Sequence, residues 1–149
     1  MLLLRYFTFI ALFAQTAPDA RPSIDWTTDS LDAVKENLAK GKAVLVDVRS
    51  VEEWKKGTID GALFVPIDSL RKYNLNEEKV KKTLPPKDEK KILYTYCVVG
   101  MRAKAAGNIL QEQGYEVRPL RPGYDDLLKA GFKKFEPKDE KGPPSNSPK

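Results

Sequence analysis

The chain has 149 residues, 41% of them hydrophobic and 32% charged, a length and composition that suit one domain with a real core. Lysine and arginine number 26 against 21 for aspartate and glutamate; an excess this small, with no dense basic stripe among aromatics, argues against a nucleic-acid partner and only gently favours small anionic substrates. There is no histidine and a single cysteine, which excludes intramolecular disulfides, zinc held by thiolates or imidazoles, and nucleophilic catalysis of the Ser–His–Asp or Cys–His kind.

The N-terminus opens with Met1-Leu2-Leu3-Leu4-Arg5 and the apolar run Tyr6 to Ala14. That run is shorter than the roughly 20 residues a membrane-spanning helix needs, and it suits the core of a secretory signal. Residues 1–20 are therefore expected to be a signal peptide and linker, cut near Ala17 or at Ala14, Thr16 or Ala20. The expected destination is the periplasm or the exterior, and the mature chain is expected to carry no membrane span. The alternatives are an uncleaved hydrophobic anchor and a start codon placed too far upstream. Residues 21–136 are expected to form the single domain.

Ser23 to Trp26 reads as a brief strand. Thr28 or Ser30 can cap a helix to about Lys40, with Leu31, Val34 and Leu38 on one stripe and Gly41 ending it. Ala43 to Val48 is almost wholly apolar, as expected of a strand covered on both faces. Ser50 caps a short helix whose first turn holds Glu52 and Glu53, and Ala62 to Val65 is a further strand. Helical turns are expected from Asp68 through Tyr73 and from a cap at Asn76 to about Leu84. After the polar loop Pro85 to Lys90 come a strand over Ile92–Tyr96 and a helix over Ala103–Gln113, with Ala106, Ile109 and Leu110 inward. Tyr115 to Leu120 is a strand placed near an edge by Pro119, and Tyr124 to Ala130 is a short helix. Trp26 and Trp54 are expected in the core. Residues 137–149, rich in proline, serine and charge, are expected to be a disordered tail. Strands alternating with helices predict an α/β fold, a mainly parallel sheet with helices on both faces.

Such sheets bind ligands at the carboxyl ends of their strands, and Cys97 lies directly at one such end. It opens the run Cys97-Val98-Val99-Gly100-Met101-Arg102, which leads into a helix. Gly100 lets the loop turn its N–H groups inward, forming a nest for an anion. The helix N-terminus and Arg102 add positive potential, and together they favour a thiolate over a thiol. A nucleophile that is already ionised needs no histidine.

This loop resembles the Cys-x-x-Gly-x-Arg loop of the rhodanese family of sulfurtransferases. Three further segments resemble the family in order and spacing: Asp47-Val48-Arg49 with Glu52-Glu53-Trp54, Gly57-Thr58-Ile59-Asp60-Gly61-Ala62, and Pro122-Gly123-Tyr124 with Gly131-Phe132. The likeness spans about Ile24 to Phe135. It implies the rhodanese-like three-layer fold and sulfur transfer through a persulfide on Cys97. The backbone of Val98, Val99, Gly100, Met101 and Arg102 would then cradle the transferred sulfur, and Arg102 would help hold a donor's anionic end. The implied partners are a small anionic sulfur donor such as thiosulfate and a thiol or cyanide acceptor, including a protein thiol, with no cofactor beyond the covalent intermediate and no metal. Asp47, Arg49 and Glu52 take supporting roles, with an Arg49–Glu52 pair bracing the strand end. Thr58 stands where many members carry histidine, and Pro122 replaces a glycine. The side chains of Val98, Val99 and Met101 are apolar where thiosulfate users often carry basic residues, a departure that suits an organic persulfide or a protein partner.

Two other functions compete. A non-catalytic binding module would leave the thiol incidental. Phosphatase or arsenate-reductase chemistry would use the same nucleophile, but tyrosine phosphatases carry their arginine one position further from the cysteine, so the present loop is too tight for a phosphate or arsenate group.

Overall fold

The computed structural model describes residues 23–73 and 78–138. The expected export segment, the expected cap at Asn76 and most of the expected tail lie outside the described residues. Among the described residues, no helix is long and apolar enough to cross a membrane.

Four strands form a wholly parallel sheet in the order β3 (Leu63–Phe64), β1 (Ala43–Asp47), β4 (Ile92–Tyr96), β5 (Glu116–Val117). β1 alternates between two apolar environments, as a strand's period of two requires. Ala43 and Leu45 join the cluster of Val34, Tyr94, Tyr96, Leu120 and Leu127. Val46 joins Leu70, Val80, Leu93, Ala106 and Leu110 on the other face. Helices α1 (Leu31–Ala39) and α6 (Tyr124–Lys129) cover the first face; α3 (Ile67–Tyr73), α4 (Glu78–Thr83) and α5 (Met101–Glu112) cover the second. This is the expected α/β arrangement. Each fully buried leucine or valine adds roughly 1.5–3 kcal/mol, which is why the near-continuous apolar strands sit between two layers of helix.

Local signals placed the helices. Ser30 caps α1, its Oγ accepting from the Ala33 N–H at 3.2 Å. α2 (Val51–Lys55) starts with a reciprocal capping box, Ser50 accepting from the Glu53 N–H and Glu53 from the Ser50 N–H. Its Trp54 is buried against Phe64, ring centroids 5.2 Å apart.

Three features depart from expectation. Ser23–Trp26 is not a strand: Ile24 sinks into the core with its N–H donated to Asn108 Oδ1, and Thr27 donates to the Pro119 carbonyl. β5 is shorter than expected, Glu116–Val117 at the sheet edge, although Arg118 and Leu120 on either side of Pro119 still donate to the Leu93 and Thr95 carbonyls of β4. A separate antiparallel pair, β2 (Thr58–Ile59) with β6 (Lys134–Phe135), is unforeseen; two-residue strands leave no periodicity to read.

Candidate active site

In register, Asp47 lies opposite both Phe64 and Tyr96, so β3, β1 and β4 deliver their carboxyl ends to one place. Cys97 follows immediately and is completely buried, within the cluster that includes Val48 and Ala103. The chain then turns through Gly100, whose φ of +87° is a left-handed conformation that glycine adopts freely. Its N–H donates to Cys97 Sγ at 3.1 Å. α5 begins at the next residue with Gly100 as its N-cap, so the positive end of a 12-residue helix lies beside the sulfur.

The closing segment locks this loop from outside. Tyr124 donates its N–H to the Cys97 carbonyl at 2.8 Å. Gly123 packs so tightly that a Cβ there would stand 1.6 Å from the Val98 oxygen. A Cβ on Gly100 would meet the Arg121 oxygen and the Trp26 ring, each at 2.9 Å. Trp26 is therefore a wall of the loop, half-buried with Lys104 Nζ 5.5 Å from its ring, and not the core residue expected. The rim is apolar and open: Val98, Val99 and Met101 are 41%, 73% and 67% exposed.

Arg102 occupies the first turn of α5, where the helix dipole disfavours a cation. Glu53 offsets this with two hydrogen bonds, Nη1 to Oε2 at 2.6 Å and Nη2 to Oε1 at 2.8 Å. Arg102 is held above its ordinary pKa, first by Glu53 and against the pull of partial burial, with Cys97 as a further favourable partner. Glu53 is driven down to about 2 by the Arg102 hydrogen bond, against partial desolvation and with help from the Ser50 N–H. Glu53 is thus the site residue sequence reasoning passed over; the signal was there, since it is both an N3 capping acid and part of the Glu-Glu-Trp segment.

The expected Arg49–Glu52 pair does not form. Glu52 is exposed on the first turn of α2, whereas Arg49 turns back onto Asp47, Nε to Oδ1 at 2.9 Å and Nη2 to Oδ2 at 2.7 Å. The reason is burial: both ion-pair side chains are almost wholly out of water, 4% and 0% exposed, and such a charge needs a partner equally buried. Asp47 also accepts from Thr58 Oγ1 at 2.8 Å and Tyr96 Oη at 3.0 Å, Arg49 donates to the Gly57 carbonyl at 2.6 Å, and the guanidinium lies 4.0 Å from the Tyr124 ring. Burial pulls Arg49 down, yet the hydrogen bond and charge of Asp47 outweigh it and hold the group above its ordinary value. Asp47 and Arg49 are a brace beneath the Cys97 loop.

The sequence profile of the rhodanese-like domain matches residues 30–130. The chain belongs to the rhodanese-like domain family. A human thiosulfate:glutathione sulfurtransferase is 37% identical over 92 residues, 59% of this chain and 80% of that protein. The structure of a human single-domain sulfurtransferase matches with a TM-score of 0.59 at 32% identity, covering 68% of this chain and 95% of that one. A tRNA uridine(34) hydroxylase of Protochlamydia amoebophila is 35% identical over 91 residues, 60% of this chain but 28% of that protein. This rhodanese-like chain therefore resembles a human single-domain sulfurtransferase in sequence and fold, and it spans less than a third of the length of the tRNA uridine(34) hydroxylase that it matches.

Proposed function

We propose that this rhodanese-like protein moves sulfane sulfur through a persulfide on Cys97. The observation that carries the reading is the sulfur's position, at the carboxyl end of β4 with the Gly100 N–H at 3.1 Å and the α5 N-terminus beside it. The Cys97 thiolate attacks the outer sulfur of thiosulfate; the S–S bond of the donor breaks and sulfite departs with the electron pair. An acceptor thiolate or cyanide then attacks the outer sulfur of the persulfide, and Cys97 leaves as thiolate. No redox partner or cofactor is needed, because each half is a displacement at sulfur. The helix end and inward N–H stabilise the charge on Cys97 before and after each step.

A small thiol acceptor of the glutathione kind is favoured by the human relative's activity, and the apolar rim of Val98, Val99 and Met101 supports an organic or protein-borne thiol. We place the mature chain outside the cytoplasm, on the strength of the apolar run Tyr6–Ala14.

Mass spectrometry of the purified protein tests the mechanism. Treatment with thiosulfate is expected to add one sulfur atom on Cys97, removed again by glutathione or cyanide. Cys97→Ala is expected to abolish both the adduct and turnover while keeping the circular-dichroism spectrum. Turnover retained in Cys97→Ala would overturn the mechanism, and an unmodified thiol after donor treatment would favour a binding module.

A further inference from the structure

Residues 23–29 carry no helix and no strand, yet they are tied down on both sides of Trp26. Before it, Ile24 is buried and donates its N–H to Asn108 Oδ1 on α5 at 2.7 Å. After it, Thr27 donates its N–H to the Pro119 carbonyl at 2.9 Å. Asp29 then accepts from Arg118 Nη1 at 2.8 Å and from Tyr94 Oη at 2.5 Å. The indole between these ties is half-buried, with the Lys104 ammonium 5.5 Å from its ring.

What the ring meets is Gly100. A Cβ on that glycine would stand 2.9 Å from Trp26 Cη2, 3.1 Å from Trp26 Cζ3 and 2.9 Å from the Arg121 carbonyl oxygen. Ring and carbonyl therefore back the turn. Glycine reaches φ +87° without cost but does not hold itself there, because other regions are equally open to it. The aim of the Gly100 N–H, 3.1 Å from Cys97 Sγ, thus depends on what surrounds the turn. The Lys104 N–H fixes the Gly100 carbonyl at 3.0 Å, and Trp26 supplies side-chain support.

We propose that Trp26 is a positioning residue for sulfur transfer, its ring holding the Gly100 peptide so that the N–H meets the charge on Cys97 Sγ as the persulfide is discharged. The inference rests on the sulfur-transfer reading above. In that step cyanide attacks the outer sulfur, the S–S bond breaks, thiocyanate departs and Cys97 keeps the electron pair as a thiolate. A donor already aimed at the sulfur stabilises that charge without rearranging. Without the ring, the glycine turn relaxes into the vacated space, and a misplacement of about 1 Å is enough to slow a reaction substantially.

Two measurements on the full chain test this. In the first, Cys97 is loaded with thiosulfate and discharged by cyanide in a single turnover. Trp26→Ala is expected to slow discharge at least about tenfold, and Trp26→Phe to stay within about threefold of the parent. In the second, the unloaded thiol is alkylated with iodoacetamide across a pH series. The midpoint of that profile is expected to lie about one unit higher in Trp26→Ala than in the parent, and Trp26→Phe to restore it. None of these substitutions touches Arg102, the charged side chain beside the sulfur, or its partner Glu53. Trp26→Leu, which fills the space without a flat ring, is expected to fall between, and it carries both readings if the alanine variant does not fold. Val34→Ala is the control for a general loss of stability, since Val34 is fully buried in the cluster on the other face of the sheet; it is expected to move neither reading. Parent-like discharge and midpoint in Trp26→Ala, equal damage in Trp26→Phe, or the same changes in Val34→Ala would overturn the proposal. Should thiosulfate leave no persulfide on the parent, the sulfur-transfer reading fails, and the alkylation profile still decides whether Trp26 positions the loop.

Discussion

Arg102 in the first turn of α5 and Glu53 in the first turn of α2 are 49 positions apart in sequence, yet they share two hydrogen bonds of 2.6 and 2.8 Å. The pair joins the helix that starts at the sulfur loop to the helix that follows β1. It also neutralises the full charge that the loop itself carries. Glu53 holds its carboxylate with help from the Ser50 N–H, so the same oxygen that caps α2 grips Arg102.

This geometry makes a pH prediction. Glu53 is depressed from its ordinary 4.5 to about 2 in the folded protein. A carboxylate with a lowered folded pKa stabilises the fold fully above its unfolded value, and that stabilisation fades as pH falls toward the folded value. The window is therefore between about pH 4.5 and 2. With nearly a third of each side chain still in water, screening reduces the contribution to about 1–2 kcal/mol. Glu53→Gln is expected to be less stable than the parent by that amount at pH 6, with the gap narrowing below about pH 4.5 and closing as pH falls through about 2. Urea titrations at several pH values read it, and a gap that stays constant across the window would contradict the assignment.

Arg102 makes a kinetic prediction. If the guanidinium meets the anionic end of a donor as well as Glu53, losing it should harm thiosulfate more than an uncharged organic persulfide. Arg102→Ala is expected to raise KM for thiosulfate about tenfold, equivalent to the loss of one charge-assisted hydrogen bond. For the uncharged donor the change is expected to stay within about twofold. Equal losses for both donors would leave Arg102 a structural residue only.

The sequence carried the loop and the architecture because both rest on local signals. An apolar strand, a lone thiol, Gly100 and a helix start are adjacent residues, and the capping box of Ser50 and Glu53 is a short-range pattern. What it did not carry were partnerships chosen by burial. Asp47 and Glu52 are both acids near Arg49, but only the folded strand shows that Arg49 is sunk beside Asp47 while Glu52 faces water. Trp26 could be read as core because nothing near it in sequence reveals Gly100, 74 positions on, against its ring. The β2–β6 pair joins residues too few and too far apart to leave a pattern.

Two glycines separate steric fit from backbone strain. Gly123 has φ −87°, which any residue can adopt, but a Cβ there would collide with the Val98 oxygen at 1.6 Å. Gly114 has φ +88° with open space around it. Gly123→Ala is expected to displace the Val98 peptide, costing about 1–3 kcal/mol and at least tenfold in kcat/KM. Gly114→Ala is expected to cost about 1 kcal/mol through its backbone alone and to leave turnover intact. Paired thermal melts and kinetics check both, and full activity in Gly123→Ala would show that the closing segment does not hold the loop.

The sharpest energetic contrast lies between Asp47 and Glu52. Asp47 is wholly buried and answers Arg49, Thr58 Oγ1 and Tyr96 Oη, whose own ionisation is suppressed by burial and by the Asp47 charge. Asp47→Asn keeps the shape and removes the charge, leaving a guanidinium 4% exposed without a counterion. Breaking a buried pair from one side costs about 3–5 kcal/mol, because the surviving charge stays desolvated. Removing the charge of exposed Glu52 by Glu52→Gln is expected to leave stability close to that of the parent. Because the Asp47–Arg49 brace sits under the strand ends that carry Cys97, Asp47→Asn is also expected to slow sulfur transfer, whereas Glu52→Gln keeps it. Denaturant titrations of the two variants beside the parent settle the matter: comparable losses at the two positions would mean that the buried pair adds nothing a surface carboxylate does not.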